Sequence, residues 1–316
     1  MIRFLSLLSL WALFACNSTP DSSASTTDLE EKPIQAYTLN GEPLFIPDRS
    51  VEVSRSLQLK LDSAKLKWDN DPSEMNFIWY GRRMAYTNRY NEAISIFSSG
   101  IDKYPQSYKL YRHRGHRWLS IRKFDEAIKD FSEAAKLVGD QDIQIEPDGM
   151  PNSQNVPLSN TQFNIYYHLG LAYYLKADWT MAEIAYRQCM DYSVNNDLLV
   201  ATADWLYMTL KKQGKDEEAG LLLDSISNDM AIIENDSYFR RLLMYKGEML
   251  PEELFNDSGE LDDITIATQG YGVGNYHLQK GDTALAIEIL NKVISGKSWS
   301  AFGFIAAEAE LRYLDN

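Results

Sequence analysis

Apolar residues recur along this chain at helical spacing, and from residue 51 onward they fall into a repeating frame. Val53, Leu57, Leu61, Ala64 and Trp68 follow at three- and four-residue intervals, which predicts an amphipathic helix over 51–68 that caps one end of the array. Beyond it, Gly81, Ala93, Phe97 and Gly100 are echoed by Gly115, Ala127, Phe131 and Ala134, each displaced by 34 residues. Small residues and one aromatic at fixed offsets describe a helical hairpin. The small positions let antiparallel helices approach, the aromatic fills the wedge between them, and Pro105 stops the second helix. Such a hairpin buries its apolar face only against copies of itself.

The frame then shifts as a block. Gly170, Ala182, Tyr186 and Cys189 lie 55 residues after their counterparts, one period plus about 21 residues of insertion. The insert, about 142–162, holds Pro147, Gly149, Pro151 and Pro157 among Asn and Ser, and is expected to be a loop in which a side chain at Gly149 matters less than one at Gly170. After the third unit the pattern loosens. Gly214 precedes Ala219 by five residues, as Gly281 precedes Ala286, and these pairs stand 67 residues apart, so a degenerate unit is expected between them. Its first helix reads as 238–248, and Pro251 opens a shortened second one. A last helix over 302–314, with Ala306, Ala307 and Leu311, reads as a terminal cap.

The anchors and the segment "KFDEAIKDFSEAAKL" resemble the tetratricopeptide (TPR) superfamily, specifically in the first three units and weakly afterwards. The resemblance implies an all-α solenoid over 51–314 of about five to six units, with a loop insertion after the second and a capping helix. It also implies that the first helix of each unit lines a concave groove that binds a protein or peptide segment. Carried onto this sequence, the groove positions are Arg82, Tyr86, Lys109, Arg112, His116, Tyr167 and Tyr174. Cations interleaved with aromatics suit an acidic or carboxylate-terminated segment; the plainer alternative is a solvated basic helix face. Ile78 and Asn164 stand where the chaperone-type carboxylate clamp uses lysines, so that ligand does not carry over.

The N-terminus adds a compartment. Arg3 precedes an apolar run from Phe4 to Phe14, and Leu13-Phe14-Ala15-Cys16 resembles a bacterial lipoprotein signal over 1–15. That resemblance implies acylation of Cys16; an ordinary signal peptide cut nearby is the competing reading. Residues 16–50 would then be a lipidated polar tether and N-terminal arm, its Ser/Thr-rich start too polar to fold. Asn17 after the cysteine, by resemblance to the enterobacterial sorting rule, favours the outer membrane facing the periplasm of a Gram-negative cell. Cys189 is the only other thiol, and its repeat position reads as a small core residue.

Charge is uneven. The chain carries −14 overall, which opposes nucleic acid as a partner, yet 74–139 holds 12 Lys and Arg against 7 acids, leaving 19 against 38 elsewhere. His113, His116 and His168 lie at related repeat positions without a carboxylate or thiol at ligand spacing, so no metal is expected. Gly270, Gly272 and Gly274 lack the third glycine and the βαβ context of a dinucleotide site, and read as close helix packing. With no serine elbow, carboxylate pair or Cys-His dyad evident, neither catalysis nor a cofactor is expected. The function expected is a membrane-anchored interaction scaffold of the cell envelope; the alternatives are an outer-membrane assembly component or a ligand-binding lipoprotein of an uptake system.

Overall fold

The computed structural model of the chain describes residues 33–255 and 261–314. Helix α1 (Val51–Asn70) opens the array, capped by the Ser50 hydroxyl accepting from the Val53 amide. It buries only Leu61 and Ala64, because a single face meets the next helix. Among the described residues six hairpins follow: α2 (Glu74–Tyr86) with α3 (Tyr90–Lys103), α4 (Tyr108–Ser120) with α5 (Phe124–Val138), α6 (Thr161–Leu175) with α7 (Trp179–Asp191), α8 (Asn196–Lys212) with α9 (Asp216–Asp224), α10 (Asp236–Lys246) with the single turn α11 (Pro251–Leu254), and α12 (Asp263–Gln279) with α13 (Thr283–Ile294). Helix α14 (Phe302–Leu314) closes the chain. This is the all-α TPR-type solenoid expected from the repeat.

Close packing explains the small anchors. A Cβ placed on Gly81 would lie 2.4 Å from the Phe97 ring, one on Gly115 2.9 Å from Phe131, and one on Gly170 2.8 Å from Tyr186. The same sixteen-residue pairing recurs in the last hairpin, where Gly274 would meet Leu290 at 2.9 Å. The glycine-rich stretch of α12 is thus a contact surface: Gly270 faces Val293 and Phe255, and Gly272 faces Arg241. The turns keep register too. Asn88, Arg122, Ala177, Gly214 and Gly281 all have positive φ, between 56° and 81°, and each sits five residues before its small anchor on the second helix.

Two features depart from the sequence reading. Part of the presumed N-terminal arm is folded: β1 (Ile34–Tyr37) and β2 (Pro43–Phe45) pair antiparallel and lean on the solenoid. The Gln35 side chain accepts from the Tyr90 amide at 3.1 Å, and the Trp299 indole donates to the Phe45 carbonyl at 2.8 Å. The array also closes on itself. The Arg122 guanidinium, at the α4–α5 turn, makes a two-pronged contact with Glu308 of α14 at 3.0 and 3.1 Å and donates to the Trp299 carbonyl. Both side chains are almost completely buried.

Closure determines what lies inside. Helices α6 and α8 are buried on nearly every face, since α10, α12 and α14 pack across the side that an open solenoid would leave to solvent. At the centre Arg241 and Asp204, both fully buried, pair at 2.8 Å within a cage that includes Trp205, Tyr238 and Tyr271. Burial pushes the Asp204 carboxyl up to about 7, while that carboxyl's charge holds the Arg241 guanidinium above its ordinary value. A guanidinium cannot shed its proton, so the carboxylate is its counter-ion.

Candidate functional site

The basic groove expected across three units survives in two. Arg82 and Tyr86 at the end of α2, with Arg112 and His116 on α4, line one cavity of about 110 Å³. Helix period explains the grouping, because 82 and 86, like 112 and 116, are four residues apart on adjacent inner helices. Lys109 stays half-buried a turn earlier, its ammonium 5.7 Å from the Tyr108 ring, and does not reach the cavity. Tyr167 and Tyr174 point inward as their repeat positions imply, but inward here is core. Tyr167 donates to the Tyr238 hydroxyl at 3.1 Å, Tyr174 bonds the Tyr271 hydroxyl at 2.7 Å, and the exposures are 5% and 2%. Burial holds both phenols well above their usual range.

The groove that remains is occupied from within. Residues 142–160 form a loop, with 161 and 162 already inside α6, and a bridge between Ile145 and Asn160 gathers the loop's two ends. It is exposed for most of its length yet drops Glu146 and Gly149 into the basic face. Glu146 pairs with Arg112 at 3.0 Å and accepts from the Asn164 amide at 3.2 Å. Arg82 donates to the Pro147 carbonyl at 2.8 Å, and Arg83 to the Gly149 carbonyl at 2.9 Å. One carboxylate and two backbone carbonyls on arginines are the contacts an extended acidic peptide would make. Gly149 is not the indifferent position expected, because a Cβ there would lie 1.9 Å from the Tyr86 hydroxyl.

The histidines pack as aromatic plates. His113 stacks on Phe97, His168 stacks on Phe131, and His116 stands 4.5 Å from His168 and 5.3 Å from Phe302 of α14. Burial, reinforced by the neighbouring arginines, holds His113 and His116 well below their ordinary value and lowers His168 to about 3, so all three are neutral. Among the described residues no three His, Cys, Asp or Glu side chains converge as metal ligands. Cys189 is buried with its thiol against Thr202, and burial pushes it up to about 12. Cys16, the expected lipidation site, lies outside the described residues.

Sequence reasoning missed Glu146, Arg83, Arg117 and the Asp204–Arg241 pair. Glu146 sits in an aperiodic loop, and Arg117 falls between the repeat's groove positions, one residue past His116. An aspartate within the apolar run of α8 was the readable sign of the buried pair. A cavity of about 610 Å³ forms a trough between α1 and α2 lined by Leu59, Lys60, Trp79 and Arg83; without buried convergent polar groups it is a weaker candidate than the arginine cavity.

No family model and no curated protein matches this sequence. Among solved structures the chain is similar to YrrB, a TPR protein with an unusual peptide-binding site, at 14% identity over 79% of this chain and 99% of that one, with a TM-score of 0.42. It is likewise similar to a tetratricopeptide repeat protein from Parabacteroides merdae, at 14% identity over 82% and 97% of the two chains, with a TM-score of 0.47.

Proposed function

We propose that this chain is a membrane-tethered interaction scaffold of the Gram-negative envelope that holds an acidic or carboxylate-ended protein segment on the basic face of α2 and α4. One observation carries the reading: that face already grips an extended segment, its own insert, through Glu146 on Arg112 and through carbonyls on Arg82 and Arg83. Most of the insert is exposed, and its contacts with the face, Glu146 on Arg112 and two carbonyls on Arg82 and Arg83, are of the kind a competing acidic segment would replace. An outer-membrane location facing the periplasm, and acylation at Cys16, are part of the same proposal and rest on the Leu13–Cys16 pattern. No described helix is long and apolar enough to cross a membrane.

Affinity capture from detergent-solubilised envelope tests the partner reading. The Arg83→Glu/Lys109→Glu variant, shown to be folded by its thermal melt, should lose the proteins that wild type retains. Equal recovery of every protein would move the binding surface elsewhere. Identification of the captured protein as β-barrel assembly machinery or as a transporter separates the assembly and uptake alternatives. Labelled fatty acid should enter wild type and not Cys16→Ala, and incorporation in both or in neither would remove the lipid anchor.

A further inference from the structure

The cavity between α2 and α4 has a charge imbalance that the insert does not correct. Three guanidiniums line it, from Arg82, Arg112 and Arg117, against one carboxylate, Glu146. Arg112 is only 7% exposed. Its Nη2 faces Glu146, its Nη1 meets the His113 ring at 2.9 Å, and its Nε is buried with no hydrogen-bond partner. Among the described residues the Arg117 side chain has neither a hydrogen bond nor an ion pair, and its guanidinium lies 5.3 Å from the Tyr90 ring. Arg82 is better supplied, with the Pro147 carbonyl and, at 3.3 Å, the Tyr86 hydroxyl.

A buried donor left unpaired is costly, and more so when it is charged. An oxyanion among the three guanidiniums would offset the excess positive charge. Arginine forks match groups that carry two or more oxygens around one atom better than they match chloride, and the cavity, at about 110 Å³, has room for several waters or one such group. The neutral state of His113 and His116 leaves both rings able to accept or donate at the wall.

We infer that this cavity is an oxyanion site, in which the Arg117 and Arg82 guanidiniums and the Tyr86 hydroxyl bind a phosphate or carboxylate group beside the Glu146–Arg112 pair. The ligand is either a free inorganic anion or the terminal carboxylate of a peptide. The second case deepens the partner reading above; the first stands without it.

Calorimetric titration of the purified chain at constant ionic strength distinguishes them, using inorganic phosphate, triglycine and triglycine amide against a chloride background. Saturable binding of phosphate identifies a free-anion site, and binding of triglycine without its amide identifies a carboxyl-terminus site. Arg117→Gln should weaken either at least tenfold while changing the ligand-free melting temperature little, because the side chain has no hydrogen bond or ion pair among the described residues and gives up only its contact with the Tyr90 ring. A structural role for Arg117 would lower that temperature instead. Arg82→Gln, at the half-buried rim, provides a second variant and should weaken binding several-fold. Absence of saturable binding by phosphate and triglycine alike, or undiminished binding in Arg117→Gln, overturns the inference. Because phosphate binding needs no partner protein, it succeeds or fails apart from the capture experiment.

Discussion

Alanine at three helical glycines should give three different outcomes, set by what the new methyl group meets. At Gly220 in α9 nothing lies within 4 Å of the added Cβ, so the substitution removes only the helix penalty of glycine, a gain of about 0.5–1 kcal/mol. At Gly170 that gain is opposed. The Cβ would lie 2.8 Å from a Tyr186 ring that is completely buried and has nowhere to turn, so an overpacking cost of about 1–3 kcal/mol leaves a net loss of up to about 2. Gly303 is worse, because the obstacle is backbone: the Cβ would lie 2.1 Å from the Ala267 carbonyl oxygen and 2.7 Å from its carbon. Relief requires α14 to lift from α12, which places the loss at about 3 kcal/mol or more. At about 2–4 °C per kcal/mol for a chain of this class, calorimetry should order the melting temperatures Gly220→Ala above wild type, then Gly170→Ala, then Gly303→Ala. Urea titration with unchanged slope would show that the folded state is what moved. The packing argument fails if Gly303→Ala melts with wild type, or if Gly170→Ala rises as far as Gly220→Ala.

Acid should destabilise the fold through its neutral histidines. His168 is lowered in the folded state to about 3 and regains its ordinary value on unfolding, so its contribution is full above about pH 6.5 and is lost as pH falls toward 3. At pH 5 the deficit is about 2 kcal/mol, and melts of His168→Gln should show a shallower fall between pH 7 and 5 than wild type. Asp204→Asn removes one partner of a fully buried pair and should cost about 3–5 kcal/mol in chemical denaturation, whereas Asp204→Leu with Arg241→Met should recover most of that loss. Cys189, buried and pushed up to about 12, should react with a thiol reagent at pH 8 only as fast as the chain unfolds; reaction faster than unfolding would contradict its placement. Glu308→Gln should raise amide hydrogen exchange in 34–45 and in α14 more than elsewhere, since it releases the contact from Arg122 that ties them down.

Much of the fold was legible because its determinants are local and repeated. Gly81, Gly115 and Gly170 recur with the aromatic they touch, and that pairing carries through to Gly274 and Leu290 even after the aromatic is gone. The positive-φ turns explain why Gly214 and Gly281 stood five residues before their alanines, although Asn88, Arg122 and Ala177 occupy the same conformation without a glycine to mark it. What periodicity cannot encode is contact between distant units. Tyr167 and Tyr174 were assigned to a groove because an open array would leave them there, and only the approach of α10 and α12 converts that surface to core. Likewise Glu146 lies in a segment with no repeat, so nothing in its neighbourhood announces that it meets Arg112 from across the groove.

The contact between Arg122 and Glu308 bears on how such a chain can change over generations. Open repeat arrays gain and lose whole units by duplication and deletion, since each unit answers only to its neighbours. Here an extra hairpin would carry α14 away by roughly the 8–10 Å between packed helices, several times the reach of the 3.0 Å contact. A removed hairpin would drive the same surfaces into collision. Copy number is therefore geometrically constrained in this protein: a hairpin gained or lost between α4 and α14 breaks the Arg122–Glu308 contact, whereas changes within a unit need not.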